Sequence, residues 1–199
     1  MKINIHKLTR LIEKTLDSKR YEHTLGVAYT AAALAMAYGA DVQKAQIAGL
    51  LHDCAKCMDY HKLISICEKH QLGISEIERK NPYLLHAKVG SHIAKNKFDI
   101  SEEDILQAIL NHTTGRPEMS LLEKIIYIAD YIEPNRLKAP NLSTIRRLAF
   151  KDIDKALKLI LEDILSYLDT LKSDIDPQTR LTYEYYMSLR GAERHGNLE

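Results

Sequence analysis

The chain has 199 residues, of which 45% are hydrophobic and 28% charged, and its net charge is +1. This length fits one domain with a substantial core, and the composition excludes a disordered chain. Because the charges nearly balance, a strongly nucleic-acid-seeking protein is also excluded, and any chemistry on anions must use local charge.

The first residues alternate charged and apolar side chains and show no secretory signal, so we expect a cytoplasmic protein. The longest uncharged stretch, residues 24–40, is rich in Ala, Gly, Thr and Tyr, which predicts a buried helix rather than a membrane span. Three cysteines, an odd number, predict reduced thiols. Cys54 and Cys57 form a C-x-x-C pair, but without a second pair a structural role is favoured over a redox or zinc role.

The spacing of apolar side chains and the positions of capping residues predict an all-helical chain. In chain order, the predicted helices cover residues 4–16, 18–39, 42–53, 59–70, 82–93, 104–112, 121–133, 142–150, 152–171 and 176–191. N-caps are predicted at Asp41 and Asn81, and capping boxes begin at Ser101 and Ser120. No stretch alternates with the period of a strand, so the predicted fold class is all-α, one helical bundle over residues 1–199.

Six side chains are candidate metal ligands, each in a different predicted helix except for one adjacent pair. They are His23, His52, Asp53, His86, His112 and Asp130. The adjacent pair can reach one cation only where its helix ends, because neighbouring residues diverge by about 100° around a helix axis. Asp130 interrupts an apolar run and needs a partner, which a metal, an arginine or an N–H group would supply.

A set of His and Asp ligands without thiolates fits iron, manganese or zinc better than a structural zinc cage or a magnesium site. Six ligands exceed what one open catalytic metal needs and suffice for two ions that share a carboxylate. The remaining histidines keep an ordinary surface or core role; they are His6, His61, His70, His92 and His195.

Basic residues recur within a few positions of these candidate ligands, as an anionic substrate would require. The candidates for phosphate contacts are Arg20, Lys56, Arg116 and Arg136, to which the hydroxyl groups of Thr113 and Thr114 are added. Lys138, Arg146 and Arg147 are weaker candidates. For each of these residues the alternative is an ordinary solvated side chain.

The order of the candidate ligands resembles the H…HD…D pattern of the HD superfamily of metal-dependent phosphohydrolases. The amino-acid sequences of five motifs resemble the bacterial YqeK-type branch of this superfamily still more closely. These motifs are RYxHTLGV from Arg20, AGLLHDxAK from Ala48, HAxxG from His86, HTTGRPxM from His112 and ADYIEPxR from Ala129. They span residues 20–136, and the C-terminal helices of residues 137–199 carry no matching motif.

The resemblance implies an HD-type helical bundle, bound iron, and symmetrical cleavage of diadenosine tetraphosphate to two ADP. In this hypothesis His23, His52, Asp53 and Asp130 hold one iron ion and His86 and His112 hold a second, with Asp53 bridging the two. The ions lower the pKa of a shared water, whose hydroxide attacks phosphorus while basic side chains stabilise the departing ADP. Asp53 and Lys56 are the residues assigned to catalysis.

Several points stay open. The metal could be manganese or another divalent transition ion, because His and carboxylate sites accept several of them. The enzyme could be a phosphatase or phosphodiesterase acting on other nucleotides, or the chain could be a non-catalytic nucleotide-sensing module. The expected partner is a nucleotide substrate, with no nucleic acid or membrane, and a homodimer is one alternative for the oligomeric state.

Overall fold

A computed structural model describes residues 3–171 and 175–189 of the chain. Within these ranges the secondary structure is entirely helical, which confirms the all-α class. In chain order the helices are α1 Ile5–Glu13, α2 Ser18–Tyr38, α3 Val42–Leu51, α4 Tyr60–Lys69, α5 Glu76–Lys80, α6 Leu85–Lys97, α7 Glu103–Asn111, α8 Leu121–Ile132, α9 Leu142–Ala149, α10 Ile153–Thr170 and α11 Pro177–Ser188. The assignment of the whole chain to one domain stays a prediction.

Capping side chains explain where several helices begin. The predicted N-cap at Asp41 is confirmed, since its carboxylate accepts a hydrogen bond from the backbone N–H of Lys44. The capping box at Ser120 is also confirmed, because Ser120 and Glu123 each accept a hydrogen bond from the other's backbone N–H. Helix α2 ends at Tyr38 and is followed by Gly39 as its C-cap, whose φ of 67° is left-handed, as the sequence predicted.

One predicted cap is wrong, and another is correct in position but lacks its side-chain hydrogen bond. Helix α7 has Glu102 as its N-cap and no side-chain cap, and the N–H of Ser101 donates to the Glu102 carboxylate instead of completing a capping box. Asn81 does stand at the N-cap position before Pro82, as predicted, but its side chain makes no capping hydrogen bond, because its amide donates to the carbonyl of Ile77. In both cases a neighbouring acceptor takes the hydrogen bond: the carboxylate of Glu102 binds the backbone N–H of Ser101, and the carbonyl of Ile77 binds the amide of Asn81.

The start of one helix and the presence of another also differ from the prediction. Pro82–Leu84 forms a 3₁₀ turn, and α6 begins only at Leu85. The five-residue helix α5 was not predicted, because so short a segment shows no readable period. The predicted end of the last helix near Gly191, and His195, lie outside the described residues; the described part of α11 ends at Ser188.

The helices pack into a bundle whose core runs through most of the chain. Helix α2 packs against α3 and α8, α7 contacts α3, α6 and α8, and α10 packs against α8, α9 and α11. Buried apolar side chains form one cluster from Leu8 in α1 to Tyr186 in α11. A smaller cluster lies between α4 and α6 and includes Leu63 and Val89. Each helix in the described part of the chain is too short or too polar to span a lipid bilayer.

Close packing of α2 on α3 sets the position of the candidate site. A Cβ atom added at Gly49 would lie 2.7 Å from the Cα of Ala28, so a larger residue would push the two helices apart. With the helices this close, the rings of His23 and His52 meet edge to face, with their centroids 5.5 Å apart. The bundle therefore brings ligands from different helices into one place.

Candidate metal centre

The structure brings together the six side chains that the sequence singled out as metal ligands. Helix α3 ends at Leu51, so His52 and Asp53 lie in the turn that follows, where neighbouring side chains can point to one site. His23, His86 and Asp130 come from α2, α6 and α8, and His112 follows the last residue of α7. All are buried except Asp130, whose side chain is 26% exposed.

Three of the four imidazole rings are oriented by the same local contact. The Nδ1–H groups of His52, His86 and His112 donate to the carbonyls of Gly49, Tyr83 and Ile109, three residues earlier, at 2.7, 2.6 and 2.7 Å. A carbonyl can only accept, so each Nδ1 carries a proton, and a ring in its neutral form has its lone pair on Nε2. Each of these rings is therefore prepared as a ligand through Nε2.

The carboxylate of Asp53 lies at the centre of the cluster, and its two oxygens face different imidazoles. Oδ2 is 3.4 Å from Nε2 of His52 and 3.9 Å from Nε2 of His23. Oδ1 is 3.2 Å from Nε2 of His86 and 3.5 Å from Nε2 of His112. One carboxylate thus divides the four rings into two pairs.

The donor atoms fit one or more transition metal ions. Ligand atoms of His23, His52 and Asp130, and separately of His52, Asp53 and His112, lie within 4.8 Å of one another. Buried Nε2 atoms of His23 and His52 and Oδ1 of Asp53 have no hydrogen-bond partner of suitable geometry in the described part of the chain. Buried polar atoms without a partner are costly, and a cation would satisfy all three.

Charges and burial shift the pKa values of the cluster in different directions. Burial acts against ionisation of Asp53, but the charge of His52 and a hydrogen bond with His112 hold the pKa of that carboxyl well below its usual range. Burial lowers the pKa of His86 to about 4, so that ring is neutral at pH 7. Burial would also lower the pKa of His23, but the neighbouring Asp130 outweighs it and the pKa is raised.

A cavity of about 330 Å³ opens beside the cluster. Four of the predicted phosphate-binding residues line it: Arg20, Lys56, Thr113 and Arg136. The ammonium of Lys56 donates to Nε2 of His86 at 3.2 Å, and the guanidinium groups of Arg20 and Arg136 contact Asp53 and Asp130 at 2.8 and 3.0 Å. Cations therefore surround the carboxylates at the mouth of the site.

Two predicted phosphate-binding residues are directed elsewhere and are not among the side chains that line the cavity. The guanidinium of Arg116 makes two hydrogen bonds of 2.6 and 2.7 Å to the buried carboxylate of Glu123. The hydroxyl of Thr114 donates to the carbonyl of Gly115. Arg116 thus supplies the counter-charge that a buried glutamate requires.

Some residues at the site were not found from the sequence. Tyr127, Tyr131 and Ile164 also line the cavity, and Ile164 comes from α10, a part of the chain without any recognised motif. Glu133 contacts His23 and is buried. Its position in the motif around Asp130 was the available signal, but no local pattern distinguishes a carboxylate that supports a ligand from a surface one.

The cysteines are free thiols, as the sequence predicted. Cys54 is buried, and burial raises the pKa of its thiol to about 12, so it stays protonated. Its Sγ lies 3.6 Å from the carbonyl of Gly90. Cys57 is exposed and contacts Asp17 at 3.2 Å.

The chain is similar to known hydrolases in sequence and in structure. The HD domain family matches residues 20–135. The symmetrical bis(5'-nucleosyl)-tetraphosphatase of Halalkalibacterium halodurans is 41% identical over 91% of this chain and 96% of its own length, and that of Bacillus subtilis is 38% identical over 94% and 99%. A crystal structure of a predicted HD superfamily hydrolase involved in NAD metabolism, from Clostridium acetobutylicum, is 42% identical, with a TM-score of 0.89, and the match covers 93% of this chain and 97% of that one.

Proposed function

Because this chain belongs to the HD domain family and, within it, to the group of symmetrical bis(5'-nucleosyl)-tetraphosphatases, we propose that it hydrolyses diadenosine tetraphosphate to two molecules of ADP. The site would hold two iron ions. His23, His52, Asp53 and Asp130 would bind the first, and His86, His112 and Asp53 the second. Manganese or another divalent transition ion is compatible with the same ligands.

The position of Asp53 is the observation that carries this proposal. Its Oδ2 faces the Nε2 atoms of His23 and His52, and its Oδ1 faces those of His86 and His112. A carboxylate between two groups of neutral nitrogen donors has the form of a bridging ligand for two cations. The same arrangement without metal would leave buried donor atoms unsatisfied, which supports a resident metal centre.

When bound, the two ions supply activation of water for direct attack at phosphorus. The chain's own contribution is to orient the ligands and to neutralise the polyphosphate. Arg20, Lys56 and Arg136 lie on the wall of the cavity and carry charges suited to non-bridging phosphate oxygens. Thr113 offers a hydroxyl donor on the same wall. Lys56 is the residue to which we assign stabilisation of the charge that develops on the departing ADP.

No Ser or Cys nucleophile is needed for this reaction. The thiol of Cys54, next to Asp53 in the chain, stays protonated because burial raises its pKa to about 12. Direct attack by water therefore accounts for hydrolysis without a covalent intermediate, and cleavage between the two central phosphates gives two identical products.

Product analysis in ¹⁸O-labelled water tests the proposal. Metal-free protein is loaded with Fe²⁺ without oxygen and given diadenosine tetraphosphate. The expected products are ADP alone, with label in the terminal phosphate of one ADP per cleavage. ATP plus AMP would contradict symmetrical cleavage, since the attacked phosphorus would then lie one position away. Rapid hydrolysis of a mononucleotide, with no cleavage of the dinucleotide, would favour a phosphatase instead.

A further inference from the structure

The buried carboxylate of Glu133 contacts the proposed metal ligand His23 at Nδ1, the ring nitrogen that does not face the metal site. Its Oε1 lies 3.2 Å from Nδ1 of His23, and its side chain is only 3% exposed. Its Oε2 accepts a hydrogen bond of 2.7 Å from the backbone N–H of Asn135. With one donor on each oxygen, the carboxylate is held in place and directed at the His23 ring.

His23 differs in this contact from the other three imidazoles of the cluster. The Nδ1–H groups of His52, His86 and His112 donate to neutral backbone carbonyls. An ionised carboxylate is a stronger acceptor than a carbonyl, and it makes the ring more basic and a better electron donor at Nε2.

The surrounding chain leaves space for Glu133 and holds its backbone. Gly26 lies one helical turn after His23, and any Cβ atom at this position would collide with Oε2 of Glu133. The guanidinium of Arg146 in α9 donates to the carbonyls of Ile132 and Glu133 at 2.9 and 2.7 Å. Both features restrict where the Glu133 carboxylate can lie.

The charges on the two sides of Asp53 are unequal. On the His23 side, the carboxylates of Asp130, 3.1 Å from Nε2 of His23, and of Glu133, which contacts Nδ1, add two negative charges. These charges balance the guanidinium groups of Arg20, at 2.8 Å from Oδ2 of Asp53, and Arg136, at 3.0 Å from Asp130. On the other side, the ammonium of Lys56 lies 3.2 Å from Nε2 of His86. A cation is therefore attracted more strongly to the first side than to the second.

We propose that Glu133 is a positioning residue that fixes His23 as an Nε2 ligand and makes the cation position beside His23 and Asp130 the tighter of the two. This rests on the proposed function, in which these residues hold one of two ions. Glu133 does not itself touch the ion. It keeps the ring proton on Nδ1 and so leaves the lone pair of Nε2 directed at the site.

The substitution Glu133→Gln separates this role from simple packing. Glutamine has one acceptor oxygen for two donors, so it can satisfy either Asn135 N–H or His23 Nδ1–H. If its NH₂ group faces His23, the ring proton moves to Nε2 and the ligand is lost. Equilibrium dialysis of metal-free Glu133→Gln against Mn²⁺ should show that the Mn²⁺ affinity of the tighter class of site falls by about 10- to 100-fold. The affinity of the weaker class should be unchanged.

A matched control uses Glu78, whose carboxylate accepts from the backbone N–H of Ser75 at 2.7 Å and from Lys88 at 2.8 Å. Within the described part of the chain it contacts none of the proposed ligands, so Glu78→Gln should keep wild-type Mn²⁺ affinity. The rise in melting temperature on adding Mn²⁺ provides a second readout that does not depend on baseline stability. That rise should shrink in Glu133→Gln and not in Glu78→Gln.

Wild-type Mn²⁺ affinity in Glu133→Gln, or an equal loss in Glu78→Gln, would overturn the role of Glu133. Should Glu133→Gln fail to fold, Gly26→Ala displaces the carboxylate without changing any titratable group. The same weakening is then expected, and unchanged Mn²⁺ affinity would overturn the inference. A protein that binds Mn²⁺ in two classes but does not cleave diadenosine tetraphosphate would refute the proposed function and leave the role of Glu133 standing.

Discussion

The Nε2 atoms of His86 and His112 lie 3.1 Å apart, and each ring donates its Nδ1–H to a backbone carbonyl. Two neutral rings held in this way present lone pairs to each other, not a donor and an acceptor. Such a contact is unfavourable unless a cation lies between or beside the two nitrogens. Lys56 supplies part of that charge at 3.2 Å from His86, and a metal ion would supply more.

Removal of metal should therefore destabilise the protein as well as inactivate it. An ion present at about 100 times its Kd stabilises a folded protein by about 2.7 kcal/mol if the unfolded chain does not bind it. Thermal melting before and after chelation should show a lower melting temperature and no hydrolysis, and anaerobic Fe²⁺ should restore both. Full activity with less than one metal ion per chain would rule out a centre with two ions.

Asp53→Ala and His86→Ala should differ in how much metal they retain. The carboxylate of Asp53 contacts imidazoles of both pairs, so it would bind both ions. The ring of His86 lies beside only one of the two carboxylate oxygens, Oδ1, so it would bind one ion. Loss of the carboxylate should release both ions and abolish turnover, and loss of the imidazole should leave roughly one ion and little turnover. Metal analysis of the purified variants measures this, and wild-type metal content in Asp53→Ala would exclude a bridging role.

Arg136→Ala and Arg116→Ala should have different effects although both residues were predicted to bind phosphate. Arg136 lines the cavity and contacts Asp130, whereas Arg116 is bonded to Glu123. Loss of a charge-assisted hydrogen bond to substrate costs about 1.5–3 kcal/mol, so kcat/KM of Arg136→Ala should fall by about 10- to 150-fold. Arg116→Ala should instead lower the melting temperature and nearly preserve kcat/KM.

Metal content must be measured in both arginine variants, because Arg136 also contacts a proposed ligand. A large loss of kcat/KM in Arg116→Ala, with unchanged stability and metal content, would show that Arg116 leaves Glu123 to bind substrate.

Glu123 should make the stability of the protein depend on pH. Burial acts to raise the pKa of this carboxyl, but hydrogen bonds from Arg116 and Ser120 outweigh it and lower the pKa below the ordinary value of 4.5. A lowered pKa contributes stability that is present above pH 4.5 and is lost as the pH falls through the folded-state pKa.

The comparison for this prediction is wild type against Glu123→Gln, both with chelator present so that metal binding does not contribute. Urea unfolding should give the largest difference in the free energy of unfolding near neutral pH and a shrinking difference below pH 4.5. A difference that stays constant across this range would mean that the ionised carboxylate contributes no net stability.

The sequence by itself determined the helical class, most helix boundaries and the identity of the six clustered side chains. Apolar periodicity and caps such as Asp41 and Ser120 act over one or two turns, so they can be read locally. The candidate ligands could be predicted too, because His52-Asp53 stands at the end of a predicted helix and Asp130 interrupts an apolar run, where a carboxylate needs a partner. The wrong cap at Ser101 shows the limit, since a neighbouring carboxylate took the contact.

Only the tertiary structure decided which charged side chains face the cavity. Arg116 and Arg136 each stand a few residues after a candidate ligand, and nothing local separates them. Arg116 turns to Glu123 because a buried carboxylate from another helix requires a counter-charge. Packing also placed Ile164 on the cavity wall and the carboxylate of Glu133 beside Nδ1 of His23. Contacts between distant parts of the chain depend on how helices pack, and a pattern with the period of one helix does not specify its neighbours.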